Sequence, residues 1–276
     1  MPKNSRKKAI GVFDSGFGGL NIMREIAKVL PEYNYIYLGD TARTPYGTRS
    51  KDVVYEFTKQ AVDFLFRKKC EIIVLACNTA SSNALHKIQQ EYLPKKYPGK
   101  KVLGVIIPVA ESAEMKTKNK RIGVIATEGT IRSRSFEREI FKINPEIKVF
   151  QNSCSLLVPI VEAGEHNSEI TSILLKKYLK PLIVKKIDTL ILGCTHYGIL
   201  KNRIRKEIGD NITLISEAEI VAEKLKNYLE RHHEIESELD KRGARFFYST
   251  DLTENFKILG SRFFGQKIEV LKAKLD

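Results

Sequence analysis

The stretch EIIVLACNTASS, Glu71 to Ser82, runs from uninterrupted apolar residues into a cysteine, an amide and hydroxyl groups. A short bounded run of β-branched and apolar side chains suits a strand buried on both faces of a parallel sheet. Cys77 then falls at the carboxyl end of that strand, where open α/β sheets bind their ligands. Thr79, Ser81 and Ser82 suit the start of a helix, and a thiol near a helix N-terminus ionises more readily. Free cysteine is also among the most buried residue types, so Cys77 taken alone reads first as a packed thiol.

Working outward, strand-like and helix-like segments alternate, the pattern of a parallel sheet covered by helices. Lys8 to Asp14, Tyr33 to Leu38 and Ile72 to Leu75 read as strands, separated by helices over Leu20 to Leu30 and Lys51 to Lys69. A helix past Cys77 is expected to reach about Tyr92, where LPKKYPGKK breaks it and suggests a domain crossing. Strands resume at Val102 to Ile106, Arg121 to Ala126, Ile147 to Phe150 and Thr189 to Leu192. Ile212 to Ile215 is expected to begin a return to the first domain, followed by a polar helix, a short aromatic strand at Arg245 to Tyr248 and a final helix.

The chain matches itself. EIIVLACNT at Glu71 lies over DTLILGCTH at Asp188, placing Cys194 opposite Cys77 at an offset of 194 − 77, about 117 positions. KAIGVFDSG at Lys8 lies over KRIGVIATE at Lys120, and YLGDTARTP near Tyr37 over VFQNSCSLL near Val149, both at an offset of about 112. Ordered matches at a nearly fixed spacing indicate a repeated unit. The expected fold is therefore α/β, with two pseudo-symmetric domains, each a mainly parallel sheet flanked by helices, and a site in the cleft between them. The first domain would comprise residues 1–98 and 212–276 and the second 99–211.

Composition narrows the function classes. The 276 residues are 42% hydrophobic and 29% charged, as in globular proteins. The net charge of +14 is spread along the chain among acids, as in KLKNYLERHHEIESELDKR, and no nucleic-acid-binding signature accompanies it. No apolar run approaches the roughly 20 residues of a membrane span, and the basic N-terminus moves straight into a strand without a signal-peptide core. A cytoplasmic protein with neither a nucleic-acid partner nor a membrane is expected. The cysteines Cys70, Cys77, Cys154 and Cys194 form no CxxC pair, so a zinc ribbon or dithiol redox site is not expected.

If the two units face each other, Cys77 and Cys194 approach one cleft from opposite sides. Inversion at a carbon stereocentre requires that arrangement: one group removes a proton from one face and the other returns a proton to the opposite face. Free thiols titrate near pH 8.5, so modest lowering would leave one as thiolate beside a protonated partner, with no metal or cofactor required. DSGFGG after the first strand lacks the lysine of a P-loop and the spacing of GxGxxG, but its backbone amides could hold a carboxylate while Asp14 pairs with an amino group. His196, in GCTHY, is placed for proton handling beside Cys194, and Glu162, in LVPIVEAGE, to buffer either of them. A small anionic molecule is the expected substrate.

FDSGFGGL, GDTARTPYG, ACNTAS, LVPIVEAG and GCTHY, in this order, resemble the motifs of the glutamate racemase family within the cofactor-independent aspartate/glutamate racemase superfamily. The match runs from about Ile10 to Tyr197, with FFYSTDLTENF resembling the family's C-terminal end. The resemblance implies Cys77 and Cys194 as the acid–base thiols, with Asp14, Glu162 and His196 assisting proton transfer. It further implies that Asp14, Ser15, Tyr46, Gly47, Asn78, Thr79, Thr195 and His196 contact glutamate. It implies two pseudo-symmetric domains, a homodimer, no cofactor, no metal, and supply of D-glutamate for peptidoglycan. Gly198, where the family often has proline, and Ile107, where it often has a polar residue, depart from the pattern at positions that carry none of this chemistry. A related racemase acting on aspartate, or a binding protein without catalysis, would share parts of the pattern.

Overall fold

Alternate side chains of a strand face opposite sides of its sheet, so each apolar run here feeds two cores at once. The structure, a computed structural model, describes residues 8–275. The N-terminal residues 1–7, considered above for a leader, lie outside that range. Strands β1 (Ala9–Asp14), β2 (Tyr35–Gly39), β3 (Cys70–Leu75) and β4 (Lys101–Gly104) build one sheet, and β5 (Arg121–Ala126), β6 (Lys148–Ser153), β7 (Thr189–Gly193) and β8 (Thr213–Ile215) the other. β9 (Arg245–Ser249) and β10 (Val270–Lys272) extend the first sheet beside β2. The orders are β10-β9-β2-β1-β3-β4 and β6-β5-β7-β8, and every ladder between these strands is parallel.

The order β2-β1-β3-β4 is thus repeated as β6-β5-β7-β8. The self-matches read from the sequence pair β1 with β5, β2 with β6 and β3 with β7. Sheet membership, however, changes at other points than the expected domain limits of 98/99 and 211/212. Lys101–Gly104 pairs with β3 in the first sheet, and Thr213–Ile215 pairs with β7 in the second. The repeat itself explains this: β4 and β8 are the fourth strands of the two units, and the crossings come after them. The helix after Cys77 also differs from expectation, ending at Asn83 and giving way to shorter turns that include a π turn over Ile88–Tyr92. Ser82 Oγ and Asn83 Nδ2 both donate to the Thr79 carbonyl, local bonds that compete with a continuing helix.

On the first sheet, Ile10, Val12, Tyr35, Tyr37, Ile72 and Val74 enter one core, and Phe13, Ile36, Leu38, Ile73 and Leu75 enter the other. The first of these cores is continuous with Ile125, Leu190 and Leu192 of the second sheet, so the two units share it. Ile122, Val124 and Ile191 face a third core on the far side. Helix Glu217–Arg231 buries Val221, Ala222, Leu225 and Leu229 and packs on helix Gly19–Val29, joining the end of the second sheet back to the first unit. Among the described residues no helix is long and apolar enough to cross a membrane.

Candidate active site

The loops at the carboxyl ends of β1, β3, β5 and β7 converge on a cavity of about 120 Å³. Its lining includes Ser15 after β1, Cys77, Asn78 and Thr79 after β3, Thr127 after β5, and Cys194, Thr195 and His196 after β7. The two cysteines therefore occupy equivalent strand ends of the two units and face one space. Each sits at the entry to a helical turn, Cys77 before Asn78–Asn83 and Cys194 before Thr195–Leu200. The expected hydroxyl cap is absent from the first of these. Ser81 Oγ instead donates to the Leu75 carbonyl, and Cys77 holds the cap position.

Both thiols are nearly closed off from solvent, at 5% exposure for Cys77 and 7% for Cys194. Burial pushes the Cys77 thiol up to about 11, and the Asp14 carboxylate adds to the rise. Bonds from Ser15 and from the Ala80 and Ser15 backbone amides act in the opposite sense. Cys194 is held well above the ordinary thiol range by burial, with smaller contributions from Glu217, Cys77 and Asp14, against one backbone amide, that of His196. The lowering expected from position at a helix start is thus overridden, because desolvation of an anion outweighs a few amide dipoles. Burial favours the neutral thiol form of both groups.

Each thiol has a polar neighbour. Ser15 Oγ lies 3.4 Å from Cys77 Sγ, and His196 Nδ1 lies 3.8 Å from Cys194 Sγ. His196 Nε2 is 3.1 Å from Glu162 Oε1, and the imidazole stands edge-on to Phe17 and Phe263. Glu162 is the last residue of helix Leu157–Glu162, which carries it to the ring. Asp14 is completely buried, accepting from the Gly16 amide at 2.8 Å and from Thr195 Oγ1 at 3.2 Å. Burial nonetheless raises its carboxyl above the usual range.

Close approach between the units depends on Gly18. A Cβ there would overlap Thr195 Oγ1 and lie 2.9 Å from His196 Nδ1. Tyr46 and Gly47 reach the cavity on a loop tied down by buried Asp40, which accepts from the Tyr46 hydroxyl, from Arg43 Nε at 2.7 Å and from Thr250 Oγ1 at 2.9 Å. Burial and Asp40 keep the Tyr46 phenol protonated far above the usual range. Gly47 O accepts from the Gly129 amide at 2.7 Å, joining this loop to the second unit.

The sequence-predicted residues are thereby gathered in one place: Ser15, Tyr46, Gly47, Cys77, Asn78, Thr79, Cys194, Thr195 and His196 line the cavity, with Asp14 and Glu162 bonded to Thr195 and His196 respectively. The Asp/Glu/hydantoin racemase family profile matches residues 10–225. The chain belongs to that family. It is 41% identical to a glutamate racemase of Geobacter metallireducens over 98% of this chain and 97% of that one. Among solved structures it superposes with glutamate racemase of Francisella tularensis in complex with D-glutamate at a TM-score of 0.88 and 34% identity, covering 98% of each chain. It superposes with the Bacillus anthracis isoform RacE1 at a TM-score of 0.89 and 36% identity, over 97% and 98% of the two chains. Membership makes the chain an enzyme of the isomerase class, a racemase.

Two groups of this racemase-family site escaped the sequence reading. Thr127 Oγ1 lies 2.9 Å from Thr79 Oγ1, and Thr130 Oγ1 lies 3.1 Å from Thr127, linking the units through hydroxyls. Thr127 is the repeat's counterpart of Ser15, so the internal match of β1 with β5 already pointed to it. The other is Glu217, buried at 4% exposure just past β8, whose Oε1 accepts from Asn78 Nδ2 at 2.6 Å. It too stands at a strand's carboxyl end, but of a strand assigned to the wrong unit.

Burial raises the Glu217 carboxyl to about 8, well above its ordinary 4.5. A group raised in the folded state stabilises fully below its unfolded value and loses that contribution as pH rises through the folded one. Wild-type stability should therefore decline between about pH 5 and pH 9 in part through Glu217. Glu217→Gln, which cannot ionise, should melt several degrees above wild type at about pH 9 and close to it at about pH 5, at roughly 2–4 °C per kcal/mol. A difference in melting temperature independent of pH would contradict this.

Proposed function

We propose that the chain interconverts L-glutamate and D-glutamate by proton removal and return at the α-carbon, using Cys77 on one face and Cys194 on the other. The observation that carries this reading is the placement of both thiols at equivalent strand ends around one cavity, in a chain similar over its full length to glutamate racemases. Its lining contains neither lysine nor arginine among the described residues, so hydroxyls and backbone amides supply the donors for a dicarboxylate. A chiral assay started from L-glutamate with no added cofactor tests it. D-glutamate should accumulate to parity with the L form; no D-glutamate over many protein equivalents would overturn the reading.

The mechanism follows from the resting protonation states. Burial favours the neutral form of both thiols, so one must ionise as the substrate binds. The substrate's ammonium charge and the amides of Ser15, Ala80 and His196 favour the anion. The thiolate takes the α-proton, the resulting carbanion accepts a proton from the opposite thiol, and the charges on the two sulfurs exchange. Ser15 and Asp14 serve proton movement on the Cys77 side, and His196 with Glu162 on the Cys194 side. Asp14 and Ser15, with Tyr46, Gly47, Asn78, Thr79, Thr195 and His196, hold the amino acid. Because the thiolate fraction grows with pH below a raised thiol value, kcat/KM should climb from about pH 6 to about pH 9 instead of levelling near 7. A flat profile over that range would contradict the resting thiol state.

Catalysis in the cytoplasm and supply of D-glutamate to peptidoglycan belong to the same proposal. Loss of the gene should then produce a wall defect relieved by D-glutamate. A homodimer is proposed as well, supported by exposed apolar side chains such as Ile107 and Met115 on one helix and Phe141 on another. Light scattering on the purified protein checks it by mass.

A further inference from the structure

Asn78 follows Cys77 directly, lines the cavity, and is only 3% exposed. Its side-chain amide is held from behind. Nδ2 donates to Glu217 Oε1 at 2.6 Å, and Oδ1 is buried with no hydrogen-bond partner among the described residues. An amide has a donor end and an acceptor end, and a carboxyl oxygen that accepts fixes which end turns toward it. Glu217 therefore takes the donor end and leaves Asn78 with a carbonyl oxygen to offer a bound molecule.

Glu217 has little structural reason to be where it is. It is the first residue of helix Glu217–Arg231, buried, and its Oε2 also lacks a hydrogen-bond partner among the described residues. A buried polar atom left unpaired is destabilising, a cost an apolar residue at that position would avoid. Ser216, at the cap position, makes no side-chain cap bond. What Glu217 reaches is Asn78, and the helix it begins is the one that ties the end of the second sheet to the first unit.

We infer that Glu217 is a positioning residue: through Asn78 it presents an acceptor oxygen beside Cys77, suited to the ammonium group of an α-amino acid. The inference rests on the racemase reading above and adds to it a residue that acts without touching substrate. The reach of the side chain to Asn78 and its capacity to ionise can be separated by substitution. Glutamine keeps the reach and the accepting oxygen but cannot ionise; aspartate keeps the carboxyl but is one methylene too short.

The test is steady-state racemisation of L-glutamate by wild type, Glu217→Gln and Glu217→Asp, each also combined with Asn78→Ala, with thermal melts on every variant. Glu217→Gln should keep KM within about threefold of wild type, and Glu217→Asp should raise it about tenfold, the scale of one lost hydrogen bond. In the Asn78→Ala background the aspartate change should add less than about twofold, because the group it acts through is gone. Glu217→Asp behaving as wild type while Glu217→Gln fails would overturn the inference. So would an undiminished aspartate effect beside Asn78→Ala. Wild-type protein without glutamate turnover would instead defeat the racemase reading itself.

Discussion

Cys77→Ser and Cys194→Ser should each lower kcat/KM for glutamate racemisation by about 10³-fold, the middle of the range for removing a positioned acid or base. The hydroxyl nearly matches the thiol in size but ionises far less readily, so it can neither form the anion that takes the α-proton nor yield one quickly. Both residues are buried beside polar neighbours that tolerate a hydroxyl, Ser15 for Cys77 and His196 for Cys194. Melting temperatures should therefore change little. The equilibrium constant between enantiomers is one, so kcat/KM must fall equally in the two directions, whichever thiol is replaced. Full turnover in either variant would remove that cysteine from the chemistry.

Gly18→Ala should cost about 10²-fold in kcat/KM, although residue 18 carries no functional group. The added methyl would overlap Thr195 Oγ1 and crowd His196 Nδ1. Thr195 is bonded to Asp14, and His196 stands between Cys194 and Glu162. Relieving the overlap displaces the whole Cys194 side relative to the Cys77 side, and an ångström of misplacement at reacting groups is enough for a loss of that size. The effect should appear in both kcat and KM, since Thr195 and His196 hold the amino acid as well as flanking Cys194. Gly18→Ala with wild-type turnover would mean that the approach of the two units at this point does not set the geometry.

The strands and the cysteine pair were legible because each depends on local pattern: bounded apolar runs, and a cysteine where each run stops. The repeat was legible as well, and it located Cys194 opposite Cys77. Where the reading failed, a tertiary partner decided the outcome. Thr213–Ile215 is a short strand that pairs with β7. Nothing in its own residues distinguishes it from a first-domain strand, and only carrying the repeat through its fourth element would have assigned it. Glu217 was missed for the same reason, as its significance comes from Asn78, distant in sequence. The resting state of the thiols was misjudged because helix-start position is visible in a sequence while the depth of burial that outweighs it is not.

The two-thiol scheme makes its most direct commitment in deuterium oxide. During early turnover of L-glutamate, the proton removed by one sulfur is not the one returned, because the opposite sulfur carries solvent deuterium. The D-glutamate first formed should contain one deuterium at its α-carbon, while the L-glutamate recovered at the same time remains protiated. Mass spectrometry of the separated enantiomers reads this directly. Deuterium appearing in recovered L-glutamate as fast as in the product would mean that a single group serves both faces, and the account of Cys77 and Cys194 as opposed acid and base would be wrong.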